Sequence, residues 1–144
     1  MKELIVNVKL DEGAIMPTKA HDADAGFDLY LPTSICNVFV PPRGFAIIDT
    51  GVHIEIPEGY VGFIKSKSGL NIYRDLISEG VIDSGYTGSI KVKVRNTGDE
   101  PAYFFYGEKV AQIVFLPIPS VTLKQVDKLD DTDRGDNGFG SSGR

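Results

Sequence analysis

Apolar residues recurring at every second position constrain this chain more than any other feature. Leu4, Val6, Val8 and Leu10 open it in that rhythm. Val52, Ile54 and Ile56 alternate with His53 and Glu55, and Ile90, Val92 and Val94 alternate with Lys91, Lys93 and Arg95. Successive side chains of a strand point to opposite faces, so the pattern buries one set and leaves the other in water. Shorter β-rich runs lie at 46–48, 60–64, 102–106 and 110–118. Between them stand turn signals such as Pro41-Pro42-Arg43-Gly44, Pro57-Glu58-Gly59 and Asn96-Thr97-Gly98-Asp99. Many short strands at close spacing predict an all-β sandwich or barrel. Only the stretch from Leu70 to Glu79 could hold a short helix.

The 144 residues suffice for one hydrophobic core, and 42% apolar with 24% charged residues excludes wholesale disorder. A core domain is expected over 1–127. From Lys128 onward the chain changes character, with four aspartates, four glycines and only Leu129 and Phe139 as large apolar residues. Residues 128–144 are therefore expected to form a flexible, glycine-rich arm belonging to the same domain.

Net charge is −5, which argues against long-range attraction to nucleic acid or anionic membrane. No apolar run is long enough for a transmembrane helix, and Met1 to Leu10 lacks the h-region of a signal peptide. The single Cys36 forms no internal disulfide. These features lead us to expect a cytoplasmic location.

Several segments combine residue types that can do chemistry. In Lys65-Ser66-Lys67-Ser68-Gly69-Leu70, ammonium groups, hydroxyls and a glycine form either a phosphate cradle or a solvated polar turn. Gly80 to Gly88 reads as a β-hairpin with Asp83 and Tyr86 at its mouth. Asp83 follows two apolar residues and is expected to be partly buried; it either deprotonates a water or bonds nearby turn amides. Asp28 sits between Phe27 and Leu29, and Gln112 lies in the apolar run Val110-Ala111-Gln112-Ile113-Val114. A buried amide needs partners, structural or ligand. Arg134 and Phe139, among glycines, Ser141 and Ser142, suit a phosphate and a ring. His21 and His53 have neither metal-ligand nor nucleophile spacing and read as structural or surface residues.

In chain order these segments resemble the five motifs of the trimeric deoxyuridine triphosphatases (dUTPases). Ala25-Gly26-Phe27-Asp28-Leu29 is similar to the first motif and Ser66-Lys67-Ser68-Gly69-Leu70 to the second. Gly80 to Gly88 is similar to the third, Gly107-Glu108-Lys109-Val110-Ala111-Gln112 to the fourth, and Arg134 to Gly143 to the fifth. The resemblance implies a distorted jelly-roll-like β-barrel, a homotrimer with shared sites, and hydrolysis of dUTP to dUMP and pyrophosphate. Such a reaction keeps uracil out of DNA and supplies dUMP for thymidylate synthesis. It further implies Asp83 as the base acting on the attacking water, and Tyr86 packed against the deoxyribose. Backbone groups near Gly80 and Lys91 would read uracil, while Lys67, Ser68, Gly69 and Gln112 hold phosphates. Phe139 would cover the base; Arg134, Gly140, Ser141 and Ser142 would hold the terminal phosphates. Mg²⁺ is implied as cofactor, carried mainly by the triphosphate, with Asp28 near its water shell.

This chain departs from the family pattern in placing Lys67 where an Arg is usual and Ile77 where an Asn is common. The connection from Leu70 to Gly80 is also short, and Asn137 and Ser142 stand for a Gly and a Thr. Two alternatives remain. A dCTP deaminase of the same fold carries a catalytic glutamate ten residues after the matching Asp, where this chain has Lys93. The other is a non-catalytic nucleotide-binding relative that acts as a regulatory module.

Overall fold

The computed structural model describes residues 2–141 and 143. Among them nine strands and one helix follow in order: β1 (Asn7–Leu10), β2 (Gly26–Tyr30), β3 (Asn37–Val40), β4 (Phe45–Glu55), β5 (Tyr60–Lys65), α1 (Ser68–Arg74), β6 (Leu76–Ile82), β7 (Ser89–Asn96), β8 (Ala102–Phe105) and β9 (Lys109–Pro117). Seven strands form one sheet in the order β1-β4-β7-β6-β5-β9-β2, and β3 pairs with β8 in a second, two-stranded sheet. Every pairing is antiparallel. The large sheet curls over one core, giving the barrel that the alternation predicts, in the jelly-roll-like form that the resemblance implies.

The rhythm of two maps onto burial most cleanly in β7, where Ile90, Val92 and Val94 are buried while Lys91, Lys93 and Arg95 face out. In β4 the same holds for Ile48, Val52 and Ile54. At the edge, β1 buries less: Val8 is only partly covered and Leu10 stays exposed. Buried polar groups are paired. Asn96 donates to the carbonyls of Val40 (3.3 Å) and Glu100 (2.7 Å) and accepts from the Gly98 amide (3.0 Å). Such pairing avoids the 1–3 kcal/mol or so that an orphaned buried group costs.

Two irregularities bend the large sheet away from a plain ladder. A bulge in β4 shifts its register against β7 between Asp49 and His53, and Gly51 sits there at φ 68°. Thr50 is buried at the bulge, donating to the Ile90 carbonyl at 2.7 Å. The second irregularity is a strand that changes partners. β6 pairs with β7 only through Leu76, Ile77 and Ser78, and its other half, Glu79 to Ile82, pairs with β5.

The predicted helix lies close to the expected stretch but covers less of it. α1 stops at Arg74 because Asp75 adopts a left-handed conformation (φ 55°), its N–H bonding back to the Leu70 carbonyl. Leu76 and Ser78 are buried on alternate positions, so the remainder runs as strand β6.

Candidate active site

One row across three adjacent strands brings three of the sequence segments together. Asp28 on β2 faces Gln112 on β9, which faces Lys65 on β5. Asp28 is 2% exposed, yet both carboxylate oxygens are partnered. Lys67 Nζ stands 2.5 Å from one and Lys109 Nζ 3.0 Å from the other. Burial pushes the Asp28 carboxyl up, but the hydrogen bonds and charges of the two lysines outweigh it and hold the group below the usual carboxylate range. Its carboxylate in turn raises the Lys109 ammonium. One buried anion thus fixes two cations at one end of the sheet, leaving a local excess of positive charge.

Gln112 answers the question its apolar run poses. Its amide donates to the Ser66 carbonyl at 2.9 Å, and the Ser66 hydroxyl accepts from the Ser78 amide at 2.8 Å. β9, the loop after β5 and the stem of β6 are tied by these bonds. Gly26 leaves room for this amide, since a Cβ on it would displace Gln112 Oε1 from its place. Ser68 and Gly69 are exposed in the first turn of α1, with open space where a Gly69 side chain would go.

The change of partners in β6 opens a slot. Beyond Ser78 the β6 edge leaves β7, so Gly80 on one side and Lys91 on the other present backbone groups outside the β6–β7 ladder. The loop 83–88 spans the mouth of that slot. Its Tyr86 amide bonds the Asp83 carbonyl at 3.3 Å, and the Tyr86 hydroxyl donates to the Ser89 carbonyl at 2.8 Å. The Tyr86 ring folds over Gly88, where a Cβ would lie 2.5 Å from the hydroxyl oxygen. Asp83 is exposed within the single chain, contrary to the partial burial expected. The loop projects past the ends of both strands, so the apolar pair before it covers nothing of its tip.

The arm is not brought to these groups. Arg134 is bonded to the Asn137 carbonyl at 2.8 Å, and the arm's other bonds, such as Gly135 N–H to Thr132 Oγ1 at 3.0 Å, are equally local. Phe139, Gly140 and Ser141 are exposed, and Phe139 has no core contact among the described residues to shield it. Ser142 lies outside the described residues. Lys109 is the member of this cluster that sequence reasoning missed; its signal was a cation three residues before the half-buried Gln112 amide, on the same strand as Asp28's ladder partner.

Among the described residues no group of three His, Cys, Asp or Glu is placed to hold a metal ion. With an ammonium on each oxygen, Asp28 does not fit a direct ligand either. A divalent cation fits this site only when phosphates supply most of its ligands.

The chain as a whole is similar to known proteins. A family model described as dUTPase matches residues 12–143. The chain is 40% identical to deoxyuridine 5′-triphosphate nucleotidohydrolase of Clostridium kluyveri, over 98% of each chain. It is 41% identical to the protein of that name from Yaba monkey tumor virus, over 99% of each. Among solved structures, it resembles a mutant dUTPase of Staphylococcus bacteriophage 80alpha with dUpNHpp (TM-score 0.88, 31% identity, covering 97% of this chain and 99% of that one). It also resembles a mutant dUTPase from phage phi11 of S. aureus, described as coordinating a structural Mg(II) ion (TM-score 0.78, 31% identity, covering 87% and 98%).

Proposed function

The chain belongs to the dUTPase family, and from that premise we propose how its own residues carry out hydrolysis of dUTP to dUMP and pyrophosphate. The observation that carries the proposal is the pair of lysines held on buried Asp28, a cationic floor formed by the fold itself; the β6 edge left free of β7 at Gly80 is consistent with it. Lys67, Ser68, Gly69 and Gln112 hold phosphate oxygens at the floor. Gly80 and Lys91 present main-chain groups to the uracil edge, and Tyr86 packs on the deoxyribose, leaving no space for a 2′-hydroxyl. Asp83 takes a proton from a water whose oxygen attacks the α-phosphorus. The bond from that phosphorus to the bridging oxygen breaks, and pyrophosphate leaves with the electron pair.

Mg²⁺ is the expected cofactor; carried by the triphosphate, it would supply positive charge to offset that of the phosphates. A carboxylate has about four lone-pair directions, and the two lysines use one on each oxygen of Asp28. The remainder can accept a water of the ion's hydration shell, consistent with Asp28 acting at one remove. Lys67 and the second lysine keep the floor positive overall, which suits a polyanionic ligand.

A homotrimer with shared sites is part of the proposal, as is a core over 1–127 with an arm over 128–144. Support comes from exposure: Leu116, Ile118, Val121 and Leu123 are uncovered in one chain, and among the described residues Phe139 and Arg134 meet nothing but their own arm. Arms closing over neighbouring subunits would give these groups partners. Ser142 would join Arg134, Gly140 and Ser141 on the terminal phosphates. No helix among the described residues is long and apolar enough to cross a membrane. A cytoplasmic location suits the exposed thiol of Cys36.

The deaminase alternative finds no support at Lys93. Its ammonium lies 4.1 Å from the Phe45 ring centroid, on the outward face of β7, where it pairs with an aromatic ring and not with a reacting base. Pyrophosphate release with dUTP, UTP and dCTP in the presence of Mg²⁺ tests the reading. dUTP should turn over at least about 100-fold faster than either competitor, because a steric clash or a mispaired edge in a built site costs that much or more. Equal rates with UTP would remove Tyr86 from its role, and ammonia release from dCTP would replace the reaction altogether.

A further inference from the structure

His53, an isolated residue in the sequence, occupies a position its spacing does not reveal. Its Nδ1 lies 2.7 Å from the Thr87 carbonyl, and its Nε2 lies 3.0 Å from both carboxylate oxygens of Asp11. Both partners are pure acceptors, so each ring nitrogen must carry a proton. A neutral imidazole has one N–H and satisfies only one of them. Thr87 follows Tyr86 directly and belongs to the loop that also holds Asp83. The histidine is therefore a brace between the body of the sheet and the loop proposed to bind the nucleotide.

The brace is built, and its parts come from distant segments. The β4 bulge at Gly51 sets His53 opposite Ser89 on β7 and opposite Lys9 on β1. Asp11 is held by its own amide, which donates to the Gly51 carbonyl at 2.9 Å. On the far side of the bulge, Ser89 Oγ donates to Asp49 and accepts from the Gly51 amide. The Ser89 carbonyl takes the Tyr86 hydroxyl. Two sides of the loop thus rest on one bulge: Thr87 through His53, and Tyr86 through Ser89.

We propose that His53 is a positioning residue for the Asp83–Tyr86 loop, joining Thr87 to Asp11 only while protonated, so that affinity for deoxyuridine nucleotide falls as pH rises. The site is the one assigned under the proposed function, and the inference rests on that reading for its effect on affinity. Charged groups facing the ring are Asp11 after β1, Lys9 on β1, and Asp49 on β4, with Lys91 across from Asp49 on β7. Glu55 and Lys9 also line the cleft of about 350 Å³ beside the ring, and Asp83 lies in the loop itself. The hydrogen bond to Asp11 is the largest influence and raises the imidazolium above the usual range; the Thr87 bond adds to it and Lys9 opposes it. A raised value means that the brace is complete below the ordinary imidazole value of about 6.5 and is lost as pH climbs through the folded one.

The experiment compares the parent with His53→Gln and Asp11→Asn. KM and kcat for dUTP are measured from pH 6 to 9, using the variants to cancel ionisations of the substrate. The parent's KM should rise roughly threefold to tenfold above pH 6.5, the worth of one net hydrogen bond, while kcat follows the variants. His53→Gln should lack that rise, and Asp11→Asn should move it to lower pH. Amide exchange of residues 83–88, read by mass spectrometry without any nucleotide, gives a second readout. Protection in the parent should exceed that of His53→Gln at pH 6 and match it at pH 9. A KM rise that persists in His53→Gln, or loop protection indifferent to both pH and variant, overturns the proposal. Absence of dUTP turnover in the parent would instead sink the assigned reaction, leaving the exchange comparison to decide the brace.

Discussion

The phosphate floor and the C-terminal arm carry similar residue types and live in opposite states. At the floor, Asp28 is buried with an ammonium on each oxygen, and Gln112 is bonded across to Ser66. In the arm, Arg134 and Phe139 have no partner outside it among the described residues, and the segment from 118 onward has neither strand nor helix there. The floor is organised by the fold before any nucleotide arrives. In the proposed account the arm is organised by a ligand or a neighbouring subunit. Under the proposed function, preorganisation at one end would allow tight phosphate placement, while ordering on binding at the other would permit entry, closure and release.

The largest effect is expected at the loop that holds Asp83. Asp83→Asn should lower kcat about 10²- to 10⁴-fold, the usual worth of a general base, with dUTP binding by calorimetry little changed. Next comes the arm. Removal of residues 134–144 should lower turnover on the order of 100-fold through lost closure, leaving the circular dichroism and the oligomeric state of the parent. A dissociated product would make the arm structural and erase the contrast.

A third test addresses the floor by acid. The Asp28 carboxyl is held below its ordinary range in the folded state, so its stabilising effect is complete above roughly pH 4 and is lost as pH falls through the folded value. Between pH 7 and pH 3 the thermal midpoint should therefore fall further for the parent than for Asp28→Asn. Equal losses would mean that the two lysines contribute nothing to the fold. The smallest effect is expected from Lys67→Arg, which exchanges a point charge for a planar fork able to grip a phosphate with two bonds. KM should drop by no more than about threefold, a fraction of one charged hydrogen bond, with kcat unchanged.

Much of this was legible in the sequence because alternation is a local signal. β7 and the second half of β4 appear with their buried faces assigned correctly, although the runs at 46–48 and 52–56 join into one strand, and Asp28 and Gln112 stand out as polar residues in apolar runs. What escaped the sequence is long-range. Lys109 meets Asp28 only because β2 and β9 pair, and the slot beside Gly80 exists only because β6 exchanges β7 for β5 midway. His53 was unremarkable by spacing, since its partners are an aspartate after β1 and a carbonyl in a distant loop. The exposure of Asp83 in one chain also could not be read from the apolar pair before it, because burial at a loop tip depends on what lies above it.

The central claim is that water attacks the α-phosphorus of dUTP from the side of Asp83. Turnover in ¹⁸O-labelled water, followed by mass analysis of both products, tests it most directly. The label should appear in dUMP and be absent from pyrophosphate. Label in the pyrophosphate would place the attack on the neighbouring phosphorus and contradict the geometry assigned here.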